Sequence, residues 1–215
     1  MMKETKRYLF SVEGDTEHWY LNWLQEQINS AEEARFKVKL DAPVQKNPAK
    51  RAKGLSTLGK TQIYHLCDYE SDDPIHIQRF QTALSQMKEV KSYGKSISYH
   101  LGYSNFTFEL WMVLHKRDCN GSLTHRSQYL THINQAYNEN FENLDKYKKE
   151  DNFKRILSQL TLEDVRDAIR RARNIMQNNQ NNGLVEHEYK GYKYYKVNPA
   201  LSIWEIIEGI LDACV

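Results

Sequence analysis

Short apolar runs alternate with amphipathic stretches through the first half of the chain. Residues 8–12 (Tyr-Leu-Phe-Ser-Val) are compact and apolar, read as a strand, and are broken by Glu13-Gly14. Asp15 or Thr16 is placed to cap the helix that follows, with Glu17 in its first turn. Trp19, Tyr20, Trp23, Leu24 and Ile28 then recur at helical spacing. Residues 36–40 alternate as a second strand. Residues 63–67 form a third, ending on Asp68, and Pro74 opens a helix carrying Ile77, Phe80, Leu84 and Met87. Residues 97–101 read as a fourth strand, after which Ser104-Asn105 is expected to cap an apolar helix over 106–115. The order β-α-β-loop-β-α-β-α predicts an α/β core over 6–118, with a mainly parallel sheet flanked by helices.

The remainder, 119–215, patterns as a mainly helical extension packed on that core. Tyr129, Ile133 and Tyr137 keep helical spacing, and Thr161 to Asp164 resembles a capping box. Val165, Ile169, Ala172 and Met176 form one helical stripe, closed by a polar break over 178–183. The Tyr-rich stretch 184–197 predicts a hairpin around Lys190-Gly191. A last amphipathic helix after Asn198-Pro199 carries Ile203, Ile206, Ile207 and Ile210.

The charges nearly cancel at +2, so bulk charge does not announce nucleic-acid binding and any such role must come from local patches. Cys67, Cys119 and Cys214 are scattered and contain no CxxC pair, which fits a reduced cytoplasmic protein rather than a disulfide framework or structural zinc site. The start of the chain reads as no signal peptide, and no apolar stretch approaches the roughly 20 residues that span a bilayer.

Two acidic clusters stand directly after predicted strands, Glu13 after the first and Asp68 with Glu70 after the third. Mg²⁺ takes hard oxygen ligands, usually one or two carboxylates plus substrate phosphate. Asp68 and Glu70 are two apart, so an extended backbone points both the same way. Carboxyl ends of strands are where open α/β sheets bind ligands. One acid at a strand end is ordinarily a turn residue or a cap; it is the joint placement that points to a Mg²⁺ (or Mn²⁺) site for phosphodiester chemistry. Asp72 is a reserve ligand, otherwise a turn residue before Pro74. Glu109 sits among Phe106, Phe108, Leu110, Trp111 and Val113, and a carboxylate there must be partnered. Two readings stand: an acid supporting the metal site, or a structural acid bonded to a backbone amide, His115 or an Arg. His115 is either a further supporting group or a satisfied histidine at its helix end.

Val-Glu-Gly-Asp-Thr-Glu (12–17), the acidic strand end at 68–70 and Ser-Asn-Phe-Thr-Phe-Glu-Leu-Trp-Met-Val-Leu-His (104–115) resemble the signature of RloB-like proteins. Tyr-x-Lys at 147–149 and Asn-Pro-Ala-Leu-Ser-Ile at 198–203 resemble later segments of that family, so the likeness covers nearly the whole chain. It implies a Toprim-like core, with Glu13, Asp68 and Glu70 around Mg²⁺ and Lys149 as the best match to a lysine that neutralises the scissile phosphate; Lys146, Lys148 and Lys149 around Tyr147 otherwise read as a surface charge run. It also implies a nuclease effector of phage defence or abortive infection, acting on DNA or RNA beside an ABC- or AAA-type ATPase; a homo-oligomer is left open. Glu70 stands where the family usually has Asp, and Phe106-Thr107 replaces a Pro-containing helix start.

The segment 45–60 carries Lys46, Lys50, Arg51, Lys53 and Lys60 and no acid, the cleanest basic footprint for nucleic acid. Arg170 and Arg171 are further phosphate-gripping candidates, or else partners of Glu163, Asp164 and Asp167 on a solvated helix. Residues 54–61 satisfy GxxxxGK[ST] in letters, but no buried strand precedes them and no helix follows. The second reading of the whole chain is a binding or regulatory subunit of an ATPase defence complex that keeps the fold without the chemistry.

Overall fold

A computed structural model describes residues 3–57 and 59–215; Met1, Met2 and Leu58, the last within the phosphate-loop-like stretch, lie outside the described residues. Four strands, β1 (Thr5–Val12), β2 (Lys37–Asp41), β3 (Thr61–Tyr69) and β4 (Ile97–Asn105), form a parallel sheet in the order β2-β1-β3-β4. Each apolar run read from the sequence lies inside a strand or overlaps it closely, because strand pairing continues past the buried centre. β1 pairs through Thr5–Leu9 with β2 and through Leu9–Val12 with β3, so the two central strands bring Glu13 and Asp68 to the same end of the sheet.

Helices cover both faces. On one lie α1 (Asp15–Ser30), α4 (Glu109–Leu114), α5 (Tyr129–Tyr137), α7 (Glu150–Leu157), α8 (Leu162–Asn181) and α9 (Ile203–Cys214), sharing a core that runs unbroken from Phe10 through Trp111 to Ile210. α6 (Leu144–Tyr147) is a single turn that buries Tyr147 in the same core. The other face carries α2 (Pro48–Lys53), α3 (Pro74–Glu89) and the hairpin β5 (Glu186–Tyr189) and β6 (Tyr192–Tyr195), around Tyr69, Phe80, Tyr103 and Tyr194. The predicted hairpin turn is present, with Lys190 and Gly191 both at positive φ (56° and 88°) as a two-residue turn requires. The Thr161–Asp164 capping box also forms.

The structure differs from the sequence reading at three places, and agrees with it on the phosphate-loop-like letters. The basic segment is no plain loop: Asn47 accepts from the Lys50 amide (2.9 Å) and nucleates α2. Gly54 follows this helix and β3 comes after, so the phosphate-loop-like letters sit in a helix-loop-strand context, the reverse of what they need. α1 is entered from Gly14 without a side-chain cap from Asp15 or Thr16. Ser104-Asn105 caps nothing; β4 continues through both, and Phe106 then takes a left-handed conformation (φ 61°). That turn is held by the Phe106 amide donating to Tyr69 O (2.7 Å) and the Thr107 amide donating to Asn105 O (2.7 Å). It aims the start of α4 back at the end of β3.

Candidate functional site

The cleft at the carboxyl ends of β1 and β3 has a volume of about 240 Å³ and is lined by Glu13, Gly14, Asp15, Thr16, Glu17, Lys46, Asp68, Glu70 and Lys148. Four sequence-predicted groups, Glu13, Asp68, Glu70 and Lys46, thus meet there. Glu13 ends β1, and its Oε2 accepts from the Asp68 backbone amide at 3.4 Å, which ties the two strand ends together. Glu17, in the first turn of α1, is buried and accepts from Thr16 Oγ1 (2.9 Å). Gly14 is extended (φ −144°), so its need is space and not conformation: a Cβ there would stand 3.0 Å from Glu17 Oε2.

Behind this row lies Glu109, the first residue of α4 and fully buried. It accepts from Thr107 Oγ1, and its Oε1 lies 3.1 Å from the Lys148 ammonium. Lys148, just after α6, reaches into the cleft from the helical extension. Burial depresses the Lys148 ammonium, but Glu109, Asp68 and Glu17 outweigh that and raise it on balance. Two ammonium groups, Lys46 and Lys148, against this many carboxylates leave the acids frustrated. Burial, reinforced by Glu17 and Glu70, pushes Glu13 up to about 7 against the opposing Asp68 amide and Lys46. Burial and the neighbouring Glu17 and Glu13 push Asp68 well above the carboxylate range, and burial raises Glu17. Carboxylates held close enough to raise one another's proton affinity are a common property of functional sites.

These hard oxygen donors suit a hard divalent cation in kind. Their present rotamers do not converge: among the described residues no three His, Cys, Asp or Glu side chains are placed to hold a metal ion. The reason is visible in their partners. Glu70 turns to His76 Nε2 (3.1 Å), Glu17 to Thr16, and Glu109 to Lys148.

Several expected residues lie elsewhere. Asp72 accepts from the Tyr69 hydroxyl (2.6 Å), is largely exposed and does not line the cleft. Lys149 is exposed and precedes α7; the lysine among the acids is Lys148, one residue earlier. His115 lies at the end of α4 remote from Glu109, where Tyr20 Oη donates to its Nε2 (3.1 Å) and its Nδ1 donates to Trp111 O (2.9 Å). Burial lowers it to about 4, so it is a satisfied neutral histidine in the core. Of the basic residues, Lys46 lines the cleft, Lys50 is exposed, and Lys53 is exposed over the Tyr93 ring. Lys60 precedes β3, at the opposite end of the sheet from the acids. Arg51 is committed to Phe10 O (3.0 Å) and Asp41 (3.2 Å). Arg170 is exposed and pairs with Asp167. Arg171 donates to Leu114 O (2.7 Å) and His115 O (3.1 Å), closing the carbonyl end of α4. Arg51 and Arg171 therefore brace the scaffold and do not offer free guanidinium groups.

Sequence reasoning missed Glu17 and Lys148 as members of the cleft. Glu17 had a signal, since it stands in the first turn of the helix that follows the Glu13-Gly14 break. Lys148 had only its place in the Tyr-x-Lys stretch, where burial of Tyr147 decides which neighbour faces inward.

A parallel α/β sheet with acids gathered at the carboxyl ends of its central strands defines the class. The chain belongs to the RloB family: the family model described as RloB-like protein matches residues 8–210. Neither a curated protein nor a solved structure matches it. Among the described residues no helix is long and apolar enough to cross a membrane.

Proposed function

We propose that the chain is a Toprim-like, Mg²⁺- or Mn²⁺-dependent nuclease that cleaves phosphodiester bonds in DNA or RNA, a cytoplasmic effector of an antiphage system with an ATPase partner. The observation that carries this reading is the crowding of Glu13, Glu17, Asp68 and Glu70 at one sheet end with Lys46 and Lys148 beside them. Glu13, Asp68 and Glu70 would hold the cation, Glu70 after releasing His76. A bound divalent ion supplies an activated water and stabilises the leaving oxygen. Lys148 and Lys46 place positive charge where a phosphate would lie, and Glu109 fixes the Lys148 ammonium from behind. The test is nicking of supercoiled plasmid and of single-stranded RNA with Mg²⁺ or Mn²⁺. Glu13→Gln is expected to abolish cleavage while the protein stays folded; retained cleavage removes the assignment.

A second reading is favoured by one observation, the unconverged rotamers with Glu70 engaged by His76. Under it the chain is a binding or regulatory subunit of the ATPase complex that has the fold without the chemistry. Titration with Mn²⁺ separates the two, since this subunit would bind no divalent ion at the acids and cut nothing.

A further inference from the structure

β4 is an edge strand, and its outer side is closed over only part of its length. At its upper end the Asn105 amide donates to Ala200 O (2.9 Å), the Ser202 amide to Tyr103 O (2.8 Å), and Ser202 Oγ to Leu101 O (3.1 Å). These bonds fix the parity of the strand: odd-numbered residues turn their backbone groups away from β3. The Tyr99 N–H and C=O and the Leu101 N–H therefore point outward, and they have no partner there among the described residues.

The facing wall is the outer edge of β6. The Tyr195 amide donates to Tyr103 Oη (2.9 Å), and Tyr195 O accepts from Asn105 Nδ2 (2.9 Å). Alternation in the β5–β6 pair then turns the backbone N–H and C=O of Lys193 toward β4 as well. Between these edges lies a cavity of about 440 Å³, lined by Tyr99, Leu101, Tyr192, Lys193, Glu186 and Glu205 among others. Unpaired backbone on two facing edges is a ready-made template for a further strand.

We propose that this slot receives an extended segment of a partner protein, inserted as a strand between β4 and β6 and carrying a Lys or Arg side chain into the cavity. Strand addition supplies the main-chain bonds. The charge argues for the basic side chain: Lys193 is already paired with Glu186 (2.8 Å), whereas Glu205 has no ion-pair partner among the described residues. The tyrosine rings around it favour a cation over an anion. The same carboxylates repel a nucleic-acid strand.

The test uses the full chain and a phage-displayed library of random decapeptides. The expected winners place a Lys or Arg within an alternating apolar pattern and protect the Tyr99, Leu101 and Lys193 amides from hydrogen exchange. They lose at least tenfold in affinity when alternate peptide amides are N-methylated, or when the protein carries Glu205→Arg. Glu205 is exposed, so this variant keeps the fold, and a peptide with Glu in place of the basic residue is expected to recover binding to it. No enriched peptide, binding indifferent to N-methylation or to Glu205→Arg, or protection of the three amides by single-stranded oligonucleotide would overturn the proposal. So would concentration-dependent dimerisation that protects the same amides, which would assign the slot to a second copy.

Discussion

Replacing Glu13 by Gln removes one charge from the crowded cleft and leaves an oxygen to accept from the Asp68 amide. The carboxyl is displaced from 4.5 to about 7, which corresponds to about 3 kcal/mol of ionisation free energy. The folded protein holds this proton more tightly than the unfolded chain does. Glu13 therefore costs nothing below pH 4.5, stability falls as pH rises toward 7, and the penalty is complete above it. Glu13 is only half-buried, so solvent screening makes about 3 kcal/mol an upper limit. For a chain of this size about 1 kcal/mol moves Tm by roughly 2–4 °C, so Glu13→Gln is expected to raise Tm by up to about 10 °C at pH 8. At pH 4.5 the gain is expected to be close to zero. The assay is thermal unfolding by circular dichroism at both pH values, in buffer with a chelator. An equal shift at the two pH values, or a lower Tm at pH 8, would refute the claim that the cleft acids are electrostatically strained.

Lys148→Met is expected to act in the opposite direction, because it leaves the fully buried Glu109 without its counter-charge. Breaking a fully buried pair costs about 3–5 kcal/mol, and the part-exposed Lys148 side chain makes that an upper limit. Urea denaturation should show a larger loss at pH 8 than at pH 5, because Lys148 also offsets the burial-raised carboxyls of Asp68 and Glu17, which take up protons as pH falls; a loss independent of pH would count against that electrostatic role. Gly102→Ala tests the seating of α9 on the sheet, since a Cβ would lie 2.6 Å from Leu66 Cδ2 and 2.7 Å from Ile206 Cδ1. Overpacking of this kind costs about 1–3 kcal/mol, and an unchanged Tm would show that α9 is free to shift.

The periodicity of the chain by itself determined the four strands, the helices α1 and α3 between them and their parallel order, because a strand buried on both faces needs a continuous apolar run and a crossover helix an amphipathic one. It also placed Glu13 and Asp68 at strand ends, and a parallel strand order puts such carboxyl ends on one side of the sheet. The hairpin at Lys190-Gly191 and the cap at Thr161 were legible because the residues that make them act within a few positions of one another.

What the sequence could not decide depended on contacts between distant segments. Glu17 and Lys148 join the cleft only because α1 packs over β1 while α6 buries Tyr147 beneath it. Arg51 and Arg171 looked like phosphate ligands until the fold committed them to Asp41 and to the end of α4. Asp72 left the acidic group because the Tyr69 hydroxyl holds it outside, although it stands only four residues from Asp68. A side chain's charge is written in the sequence; which opposite charge or carbonyl it meets is set by tertiary packing, and that meeting fixes what the charge is free to do.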